Sequence, residues 1–251
     1  MLSVAIVSKN EEKTIGLCIE SVKDIADEII VVDSGSTDRT VEIAKELGAK
    51  VFFREWTDYV DQVNYTLSLC SGEWILVLDA DEAVDEKLSR SIKEAIENRE
   101  YDCYKLKRRT YYLGKFLSFT ERRIRLFRKD KAFYKGFVHE RVVCSGRVGE
   151  IEGYINHYSY DGLKQHILKV LGYAEKIGRY NCEKGMGISL LNLIFNPVWT
   201  FLKFYIFKGC IKDGPRGFIY ASIMAFYTFM KYAFLLENHL RKRMGKELWK
   251  K

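Results

Sequence analysis

Asp79, Asp81 and Glu82 stand together directly after an uninterrupted apolar run, residues 75–78, in Trp-Ile-Leu-Val-Leu-Asp-Ala-Asp-Glu over 74–82. Such a run predicts a strand buried on both faces of a parallel sheet. Buried acids are costly unless paired or metal-bound, so the carboxylates belong where the strand leaves the core. If the backbone stays extended there, Asp79 and Asp81 point to the same face. Two hard oxygen ligands can then hold Mg²⁺ or Mn²⁺ and leave coordination for water and a substrate phosphate. The competing reading is a solvated acidic turn after a core strand.

The elements around this stretch say what positions it. Residues 2–7 form a short β-rich run ended by Ser8-Lys9-Asn10, and Asn10 is placed to cap a helix with Ile15, Cys18, Ile19 and Val22 inward. A second strand over 28–32 runs into Asp33-Ser-Gly-Ser-Thr-Asp38, where Thr37 or Ser36 can cap a helix over 41–47 closed by Gly48. A third strand over 51–53, a helix over 60–69 and a helix capped by Asp85 complete the pattern. Strands alternating with short helices predict βαβ units, and ligands of such sheets bind beyond the carboxyl ends of the strands. Ser8, Asp33 and Asp79/Asp81 all follow strand ends, so they should converge on one crevice.

Residues 101–160 change texture, with partial alternation at 104–112 and 123–128 and a hairpin expected at 142–151 around Ser145-Gly146. They read as a mixed extension of the sheet carrying His139-Glu140 and His157. From 163 the pattern is helical, basic and aromatic. Residues 163–251 carry 16 Lys/Arg and 5 Asp/Glu, whereas the whole chain is only +7. Uncharged runs at 185–202 and 217–230 fall short of two clean spans of about 20 residues. Helices lying in a membrane interface, with Trp199, Tyr205, Tyr220 and Tyr227 near anionic headgroups, fit this composition. The alternatives are a helical lid or burial against a second copy as a homo-oligomer. The aromatics sit in apolar runs, so a nucleic-acid surface is not expected. Six cysteines without a Cys-x-x-Cys pair read as reduced intracellular thiols, and residues 1–7 read as a strand, not a secretory signal.

Val4-Ala-Ile-Val-Ser-Lys-Asn-Glu-Glu12, Ile30-Val-Val-Asp-Ser-Gly-Ser-Thr-Asp38 and Glu73-Trp-Ile-Leu-Val-Leu-Asp-Ala-Asp-Glu82 together resemble the family 2 glycosyltransferases of the GT-A fold. Asp61-Gln-Val-Asn-Tyr-Thr-Leu-Ser-Leu-Cys-Ser-Gly72, Arg125-Leu-Phe-Arg128, Val138-His-Glu140, Ile155-Asn-His-Tyr-Ser-Tyr160 and Phe226-Tyr-Thr-Phe-Met-Lys-Tyr-Ala233 resemble the bacterial lipopolysaccharide core β-glucosyltransferase group within it. The resemblance implies an α/β fold with a Rossmann-like, nucleotide-diphospho-sugar-binding mixed sheet over residues 1–162. An amphipathic helical membrane-associating region would follow over 163–251.

The same resemblance implies that Ser8 and Glu11 border the nucleoside and that Asp33 binds its base or ribose. Asp79 and Asp81 match the family's Asp-x-Asp, which holds a divalent cation against the donor diphosphate. Gln62 and Asn64 line the donor pocket, and His139 or His157 is a third metal ligand or an acceptor contact. Glu140 is the nearest equivalent of the family's proton-accepting carboxylate, with a salt-bridged partner of Arg141 as its alternative. Arg125 and Arg128 either meet acceptor phosphates or form a solvated strand face. The implied reaction is inverting transfer of a hexose, glucose first, from a UDP-linked sugar to a lipopolysaccharide-core or other lipid-linked glycan at the cytoplasmic membrane face. A peptide or polyprenyl-phosphate acceptor and a non-catalytic membrane scaffold are the alternatives. Sugar nucleotidyl transfer would want a basic Gly-rich loop where Ser8-Lys-Asn-Glu-Glu12 is acidic.

Overall fold

In the computed structural model, which describes residues 1–136 and 141–245, the amino-terminal part alternates as its sequence pattern predicts. β1 (Leu2–Ser8) leads through α1 (Ile15–Glu20) to β2 (Glu28–Asp33), and α2 (Thr40–Glu46) leads to β3 (Lys50–Phe53). Next come α3 (Tyr59–Leu69), β4 (Trp74–Asp79), β5 (Glu82–Val84) and α4 (Glu86–Asn98). β4 is buried on both faces. Leu76 and Leu78 share one core with Ile15, Ile19, Leu88 and Ile92, while Ile75 and Val77 share another with Val63 and Leu67. Each such side chain contributes roughly 1.5–3 kcal/mol by leaving water.

Asp85 caps α4 by accepting the Leu88 N–H, and Gly48, at φ 87°, closes α2 in the left-handed conformation, both as the sequence predicts. Two other caps differ. Asn10 lies five residues before α1 begins and instead accepts the Thr37 N–H at 2.8 Å, lacing two loops together. Neither Thr37 nor Ser36 caps α2; Asp38 takes the Thr40 N–H at 3.0 Å. Local capping lost here to loop–loop bonding between β1 and β2.

The mixed extension comprises β6 (Cys103–Tyr112), β7 (Lys115–Arg128), β8 (Ala132–Lys135), β9 (Arg141–Cys144) and β10 (Val148–His157). Among the described residues the main sheet has the order β3-β2-β1-β4-β7-β6-β10-β5, with β7 antiparallel to β4 and β10 parallel to β6. The hairpin expected over 142–151 is not formed. β9 pairs with β8 in a separate two-stranded sheet, and β10 joins β6. Gly146 sits where the chain crosses between the sheets; a Cβ there would fall 2.3 Å from Asp102 Oδ2, which accepts the Arg147 N–H.

The cysteine reading also needs correction. Cys103 and Cys144 form a disulfide across 41 residues, tying β6 to the end of β9, while Cys18, Cys70, Cys182 and Cys210 are free and buried. Spacing along the chain gave no sign of this contact, which long-range strand placement creates. Disulfides are rare in reducing compartments, so cysteine usage no longer argues for an intracellular chain.

The chain divides into two compact units: Met1–Thr110 with Thr120–Ser159, and Tyr111–Phe119 with the chain from Tyr160 onward. The second unit includes the β6–β7 turn. That unit holds α5 (Leu163–Glu183), α6 (Leu190–Leu202) continued by a π-helical turn (Lys203–Phe207), a 3₁₀ turn (Cys210–Asp213) and α7 (Pro215–Arg243). Tyr112, Leu117, Phe119, Cys210 and Tyr220 form its core.

Inside that unit His166 is fully buried, with Nδ1 3.0 Å from the Tyr112 hydroxyl and Tyr160 packed on its ring. Burial, with the nearby Lys169 charge second, pushes its pKa down to about 4. An unfolded histidine titrates near about 6.5, so the unfolded state gains protons first as pH falls. Stability should be full above about pH 6.5 and drain away towards pH 4. Denaturant midpoints measured across that window should slope for the wild type and flatten in His166→Gln; equal slopes would refute this.

Candidate active site

Parallel pairing brings the predicted strand-end residues together. Ser8 lies beside Asp33 across β1 and β2, and Val7 lies beside Asp79 across β1 and β4. Ser8 Oγ donates to Asp33 Oδ2 at 3.2 Å. Asp33 Oδ1 also accepts the Gly35 and Ser36 N–H groups at 2.9 and 2.8 Å, so this carboxylate shapes the loop after β2. Gly35, at φ 87°, takes the left-handed conformation that this tight turn requires. Glu11 is half-buried and accepts the Thr14 hydroxyl at 2.9 Å.

The next donor-side candidates separate. Gln62 is fully buried; its Nε2 donates to Ser34 Oγ at 2.9 Å and to the Arg54 carbonyl at 3.1 Å. The Arg54 carbonyl fixes which end of the amide carries nitrogen, and Gln62 Oε1 is buried with no hydrogen-bond partner among the described residues. Asn64 does something else. Its Nδ2 donates to the Tyr134 carbonyl at 2.9 Å and its Oδ1 accepts the Tyr134 N–H at 3.1 Å, pinning β8 to α3.

At the end of β4 the backbone does not stay extended. It turns at Ala80 and Asp81 before β5, so Asp79 and Asp81 acquire different partners. Asp79 Oδ1 accepts the Tyr59 hydroxyl at 2.7 Å, and Oδ2 accepts Arg125 Nη2 at 2.9 Å. Glu82, side chain fully buried, curls back to accept the Asp79 N–H at 3.0 Å and pairs with Arg108 at 3.0 Å and Arg125 at 3.3 Å. Arg108 continues to Glu121 at 2.6 Å. Burial alone would raise the Asp79 pKa, but the Arg125 charge and the bonds from Tyr59 and Arg125 hold it well below the usual carboxylate range. Asp79 is therefore an anion at any working pH.

Asp81 Oδ2 lies 3.3 Å from His157 Nε2 at the end of β10. Both side chains retain slight exposure, 11% and 14%. A carboxylate beside an imidazole can contribute an oxygen and a nitrogen ligand to a divalent cation such as Mn²⁺, which would take its other ligands from water and substrate. Among the described residues no cluster supplies three or more His, Cys, Asp or Glu ligands. Glu140 and His139 lie outside the described residues.

Sequence reasoning missed the network beneath the turn. Arg125, expected to face an acceptor or solvent, is only 4% exposed. Its parity was the available signal: on β7, Arg125 shares a face with Phe127, which is fully buried. Tyr59, on the first turn of α3, carried no comparable signal.

A family model described as glycosyl transferase family 2 matches residues 3–154. An uncharacterised glycosyltransferase of Rickettsia typhi is 33% identical over 96% of this chain and 89% of its own length. The lipopolysaccharide core biosynthesis glycosyltransferase LpsC of Rhizobium meliloti is 33% identical over 96% and 94%. Among solved structures, S. aureus TarS 1–349 in complex with UDP-GlcNAc is 14% identical, with a TM-score of 0.50 over 99% of this chain and 93% of that one. That likeness confirms the GT-A fold.

Proposed function

The chain belongs to glycosyl transferase family 2, and from that premise we propose that it is an inverting, cation-dependent hexosyltransferase. It moves a hexose, glucose in the first instance, from a UDP-linked donor to a lipopolysaccharide-core or other lipid-linked glycan. The acceptor is met at the cytoplasmic face of an anionic membrane through residues 163–251. The LpsC relative supports the acceptor class.

The observation that carries this reading is the Asp81–His157 pair, 3.3 Å apart beside the strand ends that present Ser8, Asp33 and Asp79. Asp81 and His157 are the proposed cation ligands. Asp79 belongs to the same motif but holds Tyr59 and Arg125, so it reaches a cation only by exchanging the Arg125 bond. When bound, the cation neutralises charge gathering on the departing diphosphate. Ser8, Glu11 and the loop held by Asp33 border the nucleoside, and Gln62 supports that loop from below through Ser34 Oγ. Glu140 takes the acceptor hydroxyl's proton as its oxygen attacks the anomeric carbon from the face opposite the leaving group.

The test is turnover of a panel of nucleotide-sugars with a lipid-linked glycan acceptor, with Mn²⁺ or Mg²⁺ and with chelator. One UDP-sugar should turn over, lose its turnover under chelation, and yield product of inverted anomeric configuration. Glu140→Gln should lower transfer by about 10²–10⁴-fold, the usual range for a general base. Retained configuration, or full transfer by Glu140→Gln, would sink the mechanism; no donor turnover and no metal-dependent nucleotide binding would favour a scaffold.

A further inference from the structure

The second unit carries an apolar surface that its own fold leaves bare. Along α6 and the π-helical turn after it no residue is buried. Leu191, Ile194, Phe195, Val198 and Trp199 recur at helical spacing on one side, and Phe207 extends the stripe. Phe195, Trp199 and Phe207 are 62%, 55% and 70% exposed. Single exposed hydrophobics need no explanation, but a contiguous stripe of this kind marks a surface that meets something apolar.

The occupant follows from charge and from packing. Residues 163–251 carry a surplus of 11 positive charges, and Lys203 and Lys212 are exposed near the end of the stripe. Long basic side chains there can snorkel to anionic headgroups while the stripe sits among acyl chains. By length and composition, the 18 residues of 190–207 and the 29 residues of α7 are both candidates to cross a bilayer.

The packing of unit two excludes crossing. α5 runs beside α7 from end to end. His166 stacks on Tyr220 near their starts, a Cβ on Gly178 would meet Phe234 Cβ at 2.7 Å, and His239 Nε2, about a turn before α7 ends, bonds the carbonyl of Met186 just past α5 at 2.8 Å. α5 carries Lys164, Lys169, Glu175, Lys176, Arg179 and Glu183 along that length. A span by α7 would drag all of them into hydrocarbon, where each charge is expensive. The turn joining α6 to α7 is equally unsuited to the far side of a membrane. Asp213 accepts the Ser118 N–H and hydroxyl at 2.9 and 2.6 Å, and Arg216 Nε donates to the Leu113 carbonyl at 2.8 Å, fastening it to the β6–β7 turn.

We propose that α6 and its π-helical extension lie in the plane of an anionic bilayer, inserted into one leaflet, and that neither α6 nor α7 spans it. The proposal deepens the membrane encounter in the functional reading and rests on that reading only for its purpose. Lipid binding is therefore measured apart from transfer.

The experiment is flotation of the full chain with vesicles of phosphatidylcholine alone or with about 30% phosphatidylglycerol. The wild type should float with the anionic vesicles about tenfold better than with neutral ones, and alkaline carbonate should release it. Phe195→Glu combined with Trp199→Glu should reduce flotation about tenfold or more with the circular dichroism spectrum and donor hydrolysis unchanged. Phe133→Glu, an exposed aromatic on β8, should float like the wild type. Retention through carbonate would overturn the proposal in favour of a span, and unchanged flotation of the double variant would overturn the assignment of the face. Self-association abolished by the double variant, without vesicle binding, would make the occupant a second copy. Flotation without donor turnover would leave this inference standing while removing the transferase reading.

Discussion

Asp81→Ala is expected to lower kcat/KM for sugar transfer by about 10³-fold, equivalent to about 4 kcal/mol of transition-state stabilisation, while moving the unfolding midpoint little. The two halves of this expectation come from the same geometry. Asp81 pairs with His157 at 3.3 Å, and Arg125, Glu82 and Arg108 pair with one another without it. On the proposed assignment, removing it takes away a cation ligand while those pairs persist. His157→Ala should show a milder form, a raised Mn²⁺ requirement with partial activity at saturating metal, since the charged member of the pair, the Asp81 carboxylate, survives. Initial rates over a Mn²⁺ titration, with denaturant unfolding of each variant, separate these effects. Transfer by Asp81→Ala within tenfold of wild type at ordinary Mn²⁺ would refute the assignment.

The route to that site from the sequence was uneven. The apolar run at 75–78 was legible because a central parallel strand must be apolar on both faces, and β4 is. Convergence of Ser8, Asp33 and Asp79 followed from the rule that parallel strands point their carboxyl ends the same way. What failed was everything decided by tertiary partners. Asn10 had the chemistry of a cap but found the Thr37 N–H across a loop. Asn64 had the chemistry of a pocket residue but found the Tyr134 backbone. Cys103 and Cys144 met through two strands that belong to different sheets. Each of these side chains can serve several partners, and which one it takes depends on strand order, which local pattern does not encode.

Arg125 is where the site and the fold depend on one side chain, and Arg125→Met should be the most destabilising single change in the catalytic unit, by about 3–5 kcal/mol. The guanidinium is buried between Asp79 and Glu82, with Tyr59 also in reach at 3.3 Å. Its removal leaves Asp79 with only the Tyr59 hydroxyl of these partners, and leaves Glu82 with Arg108, which it shares with Glu121. Methionine fills much of the volume, so the cost is electrostatic, not a cavity. The pH dependence gives a second readout with a definite sign. In the wild type Asp79 is held charged well below the ordinary carboxylate range, so its contribution to stability is present above about pH 4 and is lost only as pH falls towards its depressed pKa. Without Arg125, burial dominates and the Asp79 pKa must rise, so transfer by the variant should fail as pH drops through a range where the wild type is unaffected. Arg125→Lys should recover part of the stability, because a single ammonium cannot reproduce the fork to two carboxylates. Denaturant unfolding and pH–rate profiles of both variants check this. A loss below about 1 kcal/mol in Arg125→Met, the range of exposed ion pairs, would mean that the buried network does not hold the Asp79–Glu82 turn in place.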